Sequence, residues 1–220
     1  MEAVWKEWAA RSQRPVAITG AGISVPSGLP TVSREWRGVP LKDVLTLEMF
    51  RQKPERFYQC YREMMLEWRE ARPNPAHEAL ARAGVKVITQ NFDGLHQQAG
   101  STEVLEVHGN LRELVCLDCH EAYPAHVAEA NPLPRCPSCE EVLKPNIVLV
   151  GEEVLHIAVA VDWVGQADLL LVIGTKLEMT PVRDLPPIAA GNGVPVIHCN
   201  KKCEEVLPQL FADTNKNPGS

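Results

Sequence analysis

Six short runs rich in β-branched and aliphatic residues punctuate the chain: "PVAIT" at 15–19, "VKVITQ" at 85–90, "EVLEVHG", "NIVLVG", "DLLLVIG" and "VPVIHCN". Each has the length and composition of a strand. Leu169 to Ile173 holds no polar residue, which suits a strand covered on both faces in a parallel sheet with helices on either side. Stretches of helical period alternate with these runs, and that alternation predicts a doubly wound α/β fold. Residues 2–12 bring Val4, Trp5, Trp8 and Ala9 to one face of a short amphipathic helix. Residues 41–71 read as mainly helical, with a break near Arg51 to Lys53 and a new start at Pro54. In "RPNPAHEAL", Asn74 caps a helix and Pro75 occupies its first turn, with His77 as a core or capping residue. A Pro-rich segment at about 112–145 interrupts the pattern as a small inserted module. The last residues, "NKNPGS", predict a disordered tail over 213–220.

Charge and composition narrow the function. Lys and Arg total 22 against 28 Asp and Glu, a net charge of -6, and no basic run tracks a phosphate backbone. Direct nucleic-acid binding is therefore not expected. The N-terminus lacks an uninterrupted apolar core and no segment has the apolar length to cross a bilayer, so a soluble, cytoplasmic protein is expected. Disulfides are poor candidates in such a chain, and the seven cysteines matter by placement. Cys116-x-x-Cys119 and Cys136-x-x-Cys139, with 16 residues between the pairs, have the spacing of a closed tetrathiolate zinc site, which holds structure and does no chemistry. Buried or redox cysteines are the plainer alternative. Cys60, Cys199 and Cys203 read as small buried hydrophobes.

The chemistry concentrates where strands end. "TGAGISVPSG" follows the first strand as the opening of a βα unit, and Gly20-x-Gly22 offers a tight turn at a helix start whose backbone N–H groups suit a pyrophosphate. Val25 stands where a dehydrogenase carries its third glycine, and no following strand ends in a ribose-binding acid, so hydride transfer has no support. A merely structural glycine turn is the alternative. Gln90, Asn91 and Asp93 cluster after the 85–90 strand, either as ligand-binding groups or as an Asx-rich turn. His108 sits at another strand end beside Gly109, and imidazole titrates near neutrality, which makes it the best-placed general base.

"GAGIS", "TQNFDGLH", "HGN", the two C-x-x-C pairs, "PNIVLVGE" and "GTK", in this order, resemble the sirtuin family of NAD-dependent protein deacylases from about Val16 to Asn200. The resemblance implies a Rossmann-like domain over 1–34, 74–111 and 146–212. It also implies a small helical and zinc-binding module over 35–73 and 112–145. NAD and an acyl-lysine peptide are expected to meet in the cleft between them. By this likeness Gly20, Ala21, Gly22, Gly174 and Thr175 cradle the phosphates and ribose, Gln90 touches the nicotinamide ribose, and Asn91 and Asp93 form the nicotinamide pocket. His108 is the base, Asn200 faces the adenosine, and one zinc sits on the four cysteines. "NIVLVGE", through Val148, Val150, Gly151 and Glu152, provides an edge strand for the peptide.

Several positions depart from that family pattern. Val32-Ser33 replace the usual Phe-Arg, which bears on water exclusion from the cofactor pocket. Lys176 replaces a serine, where it either contacts a phosphate or is simply solvated. The chain is short beyond Asn200, curtailing the adenine side. Tyr58 is followed three positions on by Tyr61 rather than by arginine, which points to neutral acyl groups such as acetyl. The departures raise two alternatives to deacylation: an NAD glycohydrolase or ADP-ribosyl transferase, and a catalytically degenerate sensor of NAD or ADP-ribose.

Overall fold

Residues 3–31 and 34–212 are described by a computed structural model, so Val32, Ser33 and the expected tail at 213–220 lie outside the described residues. The chain opens with α1 (Ala3–Arg11) and β1 (Pro15–Thr19), then a hairpin of β2 (Glu35–Trp36) and β3 (Val39–Pro40). Helices α2 (Leu41–Val44), α3 (Leu47–Gln52), α4 (Pro54–Trp68) and α5 (Pro75–Arg82) lead to β4 (Lys86–Thr89), α6 (Leu95–Gln98) and β5 (Val104–Glu106). β6 (Gly109–Val115), β7 (Ala122–Pro124), α7 (Val127–Ala130) and β8 (Lys144–Ile147) form the insertion. The chain then runs through α8 (Ile157–Gln166), β9 (Leu169–Ile173), α9 (Leu185–Gly191), β10 (Val196–Cys199) and α10 (Cys203–Leu210).

Five parallel strands make the main sheet in the order β10-β9-β1-β4-β5. Because side chains alternate across a strand, β1 sends Ala17 to one face and Val16 and Ile18 to the other. Ala17 joins a core with Ala9 of α1, Ala76 and Leu80 of α5, and Leu207 of α10. Val16 and Ile18 join a second core with Ala160 and Val164 of α8 and Leu185 and Ala189 of α9. The sheet is thus sandwiched, as the apolar runs predict. Asn74 caps α5 by accepting from the Ala76 amide, and His77 completes a capping box while being fully buried, so both readings of that histidine hold.

A separate core forms around the insertion. Phe57, Tyr58, Tyr61 and Met64 of α4 pack against Leu114, Leu143, Ile147 and Leu149. The Tyr58 hydroxyl donates to the Leu143 carbonyl, and Tyr61 donates to Leu111 O at 3.4 Å. Here β6 is central to an antiparallel three-stranded sheet, β7-β6-β8.

Three expectations are corrected. Val4 is exposed rather than on the buried face of α1, which rests on Trp5, Trp8 and Ala9. The glycine turn leads into two 3-10 turns, Ala21–Ile23 and Val25–Ser27, and not into an α-helix. Pro26 has no N–H to continue one, and Gly28 at φ 86° ends the segment. The strand expected over 146–151 stops at Ile147 and belongs to the antiparallel sheet. Past that point Val150 accepts from Leu47 N and donates to Leu45 O, so it is tied to the small module instead of the main sheet.

Candidate active site

Strand order reverses at β1, whose two neighbours β4 and β9 lie on opposite sides of it, and in an open α/β sheet ligands bind at such a switch point, outside the carboxyl ends of the strands. The residues that follow those ends are Gly20–Gly22 after β1, Gln90–Asp93 after β4, Gly174–Lys176 after β9 and Asn200 after β10, with His108 two residues beyond β5. Every non-cysteine candidate outside the 148–152 segment therefore sits on one edge of the sheet.

Hydrogen bonds weld these loops together. Gln90 Nε2 donates to Thr175 Oγ1 at 2.9 Å, joining β4 to β9. Asn91 Nδ2 donates to Gly20 O at 3.2 Å and Ser24 Oγ at 3.1 Å, joining β4 to the glycine turn. Asp93 accepts from Ser24 Oγ at 2.7 Å and from the Leu95 amide at 3.0 Å, so it makes an Asx-type turn and a long-range contact at once. Burial raises its pKa, against the pull of those two donors. Half-buried His108 places Nδ1 3.0 Å from the Gln90 carbonyl. A carbonyl only accepts, so Nδ1 carries the proton and Nε2 keeps its lone pair. Desolvation lowers the His108 pKa, partly offset by that carbonyl, and the ring is neutral at pH 7.

The glycines answer to packing first. A Cβ on Gly22 would lie 2.7 Å from Gly174 O, one on Gly174 2.2 Å from Ile23 N, and one on Gly20 2.7 Å from Thr175 Cβ. Gly174 also holds φ at +62°, where a side chain is strained. The two turns lie backbone to backbone, with Gly22 N donating to Gly174 O at 2.8 Å. Asn200 Oδ1 accepts from Thr175 N at 3.0 Å, drawing β10 into the same array. Lys176 is solvated, its side chain 86% exposed and 3.9 Å from Glu178.

Cys116, Cys119, Cys136 and Cys139 bring their Sγ atoms within 4.8 Å of one another. Zinc–thiolate bonds of about 2.3 Å in a tetrahedron require S···S separations near 3.8 Å, so the set fits that metal. Both knuckles fold alike: His120 N donates to Cys116 O and Glu140 N to Cys136 O, with φ +61° at His120 and +62° at Glu140. Cys60, Cys199 and Cys203 are buried, as expected of small hydrophobes.

The model of the Sir2 family matches residues 20–181. The chain belongs to the Sir2 family. An NAD-dependent protein deacetylase of Sulfolobus acidocaldarius is 40% identical over 215 residues, covering 92% of this chain and 84% of its own. An NAD-dependent protein deacylase 2 of Archaeoglobus fulgidus is 37% identical, covering 94% and 93%. Among solved structures, a Sir2 homologue in complex with NAD superposes with a TM-score of 0.91 at 31% identity over 98% of this chain and 94% of that one. Sir2Tm bound to a propionylated peptide gives 0.83 at 31% identity, over 94% and 95%.

Within this Sir2 fold, several residues that hold the site escape sequence reasoning. Ser24 is 1% exposed and bridges Asn91 and Asp93, yet in sequence it is only one polar residue after a glycine turn. Asn74 does more than cap α5: its Nδ2 donates to Ile23 O at 2.8 Å and Ser27 Oγ at 2.9 Å, fixing the turn that follows β1. Phe92 stacks on Trp68 of α4, centroids 5.5 Å apart and planes 13° apart. In the 148–152 segment, Val150 is exposed, Gly151 has φ +100°, and the Glu152 carboxylate turns inward to Lys144.

Beneath these loops Thr19 Oγ1 meets His96 Nε2 at 3.0 Å, and the His96 and His77 rings pack edge to face with centroids 4.8 Å apart. Burial lowers the pKa of His77 to about 4 and that of His96 well below the ordinary imidazole value. The unfolded chain binds protons at both rings below about pH 6.5 while the folded chain does not. Their contribution is therefore complete above that pH and is lost as pH falls towards 4, at about 1.4 kcal/mol per pH unit per ring. His77→Gln keeps a capping-box side chain. It is expected to flatten the acid slope of the denaturation free energy, and an unchanged slope in urea titrations across that window contradicts the assignment.

Proposed function

We propose that this chain is an NAD-dependent protein-lysine deacylase that moves the acyl group from lysine to ADP-ribose, consuming one water and releasing nicotinamide and free lysine. The observation that carries the reading is the His108 ring, its Nε2 lone pair left free by the Nδ1 bond to Gln90 O, on the sheet edge where all five strand-end loops gather. The names of the curated relatives, matched over most of both chains, support it.

Bound NAD supplies an anomeric carbon that becomes electrophilic as nicotinamide departs. The backbone of Gly20, Ala21, Gly22, Gly174 and Thr175 would meet the phosphates, with Lys176 adding a cation at the rim and Asn200 facing the adenosine. Gln90 would orient the nicotinamide ribose, and Asn91 and Asp93, locked by Ser24, would shape the nicotinamide pocket. His108 Nε2 would take a proton from a ribose hydroxyl. Water exclusion and alignment bring the weakly nucleophilic amide oxygen of acyl-lysine onto the reacting carbon.

An extended acyl-lysine peptide would lie along Val148, Val150 and Gly151, consistent with peptide complexes of the structural relatives. The division into a Rossmann-like body and a small module of 35–73 and 112–145 is supported by the separate core around α4 and the cysteine knuckles. One zinc on the four cysteines would hold that module. A cytoplasmic location is supported by seven cysteines that are all free of disulfides. Among the described residues no helix is long and apolar enough to cross a membrane.

The test is to incubate the protein with NAD and an acetyl-lysine peptide and weigh the products. Acetyl-ADP-ribose in step with free lysine is the expected result. Peptide-independent ADP-ribose, or binding without turnover, overturns it in favour of glycohydrolysis or sensing.

A further inference from the structure

Lys144 is a charged residue in an apolar setting, only 5% exposed, on the last strand of the small module. Its Nζ donates to Ile147 O at 2.7 Å and Pro145 O at 3.1 Å, and pairs with Glu152 Oε2 at 3.1 Å. Pro145 and Ile147 lie on β8 itself, and Glu152 lies on the segment that leaves it. The same Glu152 oxygen accepts from the Leu149 amide at 2.8 Å, and Glu152 N donates back to Leu149 O at 2.9 Å. One ammonium thus closes residues 145–152 on themselves, with donors and acceptors matched inside.

The closed segment also grips the residue read as the base. Val148 N donates to His108 O at 2.8 Å, so the backbone on both sides of the imidazole is fixed: Gln90 O holds the ring and Val148 N holds the carbonyl. Gly109 makes this approach feasible, since a Cβ there would lie 2.0 Å from Asn146 O. Charge buried beside its partner is costly to strand, because the remaining ion keeps its desolvation penalty without its counter-ion.

We propose that Lys144 is a positioning residue, which through Glu152 sets the shape of the 148–151 segment that receives the acyl-lysine peptide and steadies His108 beside it. The inference rests on the deacylase reading. It assigns to Glu152 an internal role in place of the peptide contact expected from sequence.

Lys144→Met keeps the length of the side chain and removes the charge. Misplacement of a substrate-holding segment by about 1 Å costs on the order of 100-fold in rate. The expected result is therefore a loss of roughly that size in kcat/KM for an acetyl-lysine peptide, carried by peptide KM and kcat, with NAD binding unchanged by calorimetry. Pairing it with Glu152→Met, which removes the stranded carboxylate, is expected to harm the enzyme less than the sum of the two single changes. A peptide KM and kcat at wild-type values overturns the proposal, and so does a parallel loss of NAD and peptide binding, which marks a merely structural lysine.

Hydrogen exchange separates this inference from the functional reading. In Lys144→Met the Leu149 and Val148 amides are expected to lose protection whether or not the wild type turns over peptide. Unchanged protection there sinks the positioning role. An inactive wild type with the loss of protection intact sinks only the deacylase.

Discussion

His108→Ala is expected to reduce deacylation by about 10²–10⁴-fold while leaving the melting temperature and zinc content near wild type, since general-base catalysis is worth a factor of that size. The ring is half-buried and hydrogen-bonds a neutral carbonyl, Gln90 O, so its removal leaves no stranded charge. The wild-type pH profile carries an independent signature. Because burial lowers the His108 pKa, the ring stays deprotonated below the usual value of about 6.5, and the acid limb of kcat/KM for peptide is expected to fall there. Activity is expected to hold as pH drops through 6.5 and to decline only below it, and the decline is absent from residual activity of the alanine variant. Product analysis by mass spectrometry over a pH series checks both. Deacylation persisting at wild-type rate in His108→Ala removes this residue from the chemistry.

Loss of the tetrathiolate metal is expected to be as damaging by another route. Cys116 and Cys136 belong to the same buried core as Leu114, Leu143 and Ile147. Binding free energies of about 10–16 kcal/mol for zinc in small folded peptides exceed what so small a core can supply. Cys136→Ser, or stripping with a strong chelator, is expected to unfold the insertion and release β8. Activity then disappears although none of these four cysteines lies at the strand-end loops, because β8 runs directly into Val148, whose amide holds His108. Elemental analysis is expected to find one zinc per chain, and restored metal is expected to restore both near-ultraviolet dichroism and turnover. Full activity in metal-free protein contradicts a structural role.

The main sheet was legible because parallel strands buried on both faces must be apolar throughout, and Leu169 to Ile173 has little choice but to lie in such a sheet. The loops at the strand ends were legible for a related reason: polar and glycine residues placed directly after apolar runs are conspicuous. The insertion resisted. β6 mixes Asn110, Arg112 and Glu113 with Leu111, Leu114 and Val115, and of its antiparallel partners β7 lies between the two cysteine pairs and β8 beyond the second, so local periodicity does not reveal it. "NIVLVG" misleads in the opposite sense. Its apolar residues Ile147 and Leu149 are buried in the small core, which composition alone does not distinguish from the sheet core. Buried ion pairs such as Lys144 with Glu152 are invisible for a third reason, since the partners stand eight positions apart and both types are ordinarily solvated.

The Phe92 ring that lies flat on Trp68 belongs to the very loop that carries Asn91 and Asp93, while Leu111 N, in β6, donates to Phe92 O. A displacement of α4 or β6 would therefore be passed to this loop through the stacked rings and the backbone bond, as through a pinned lever.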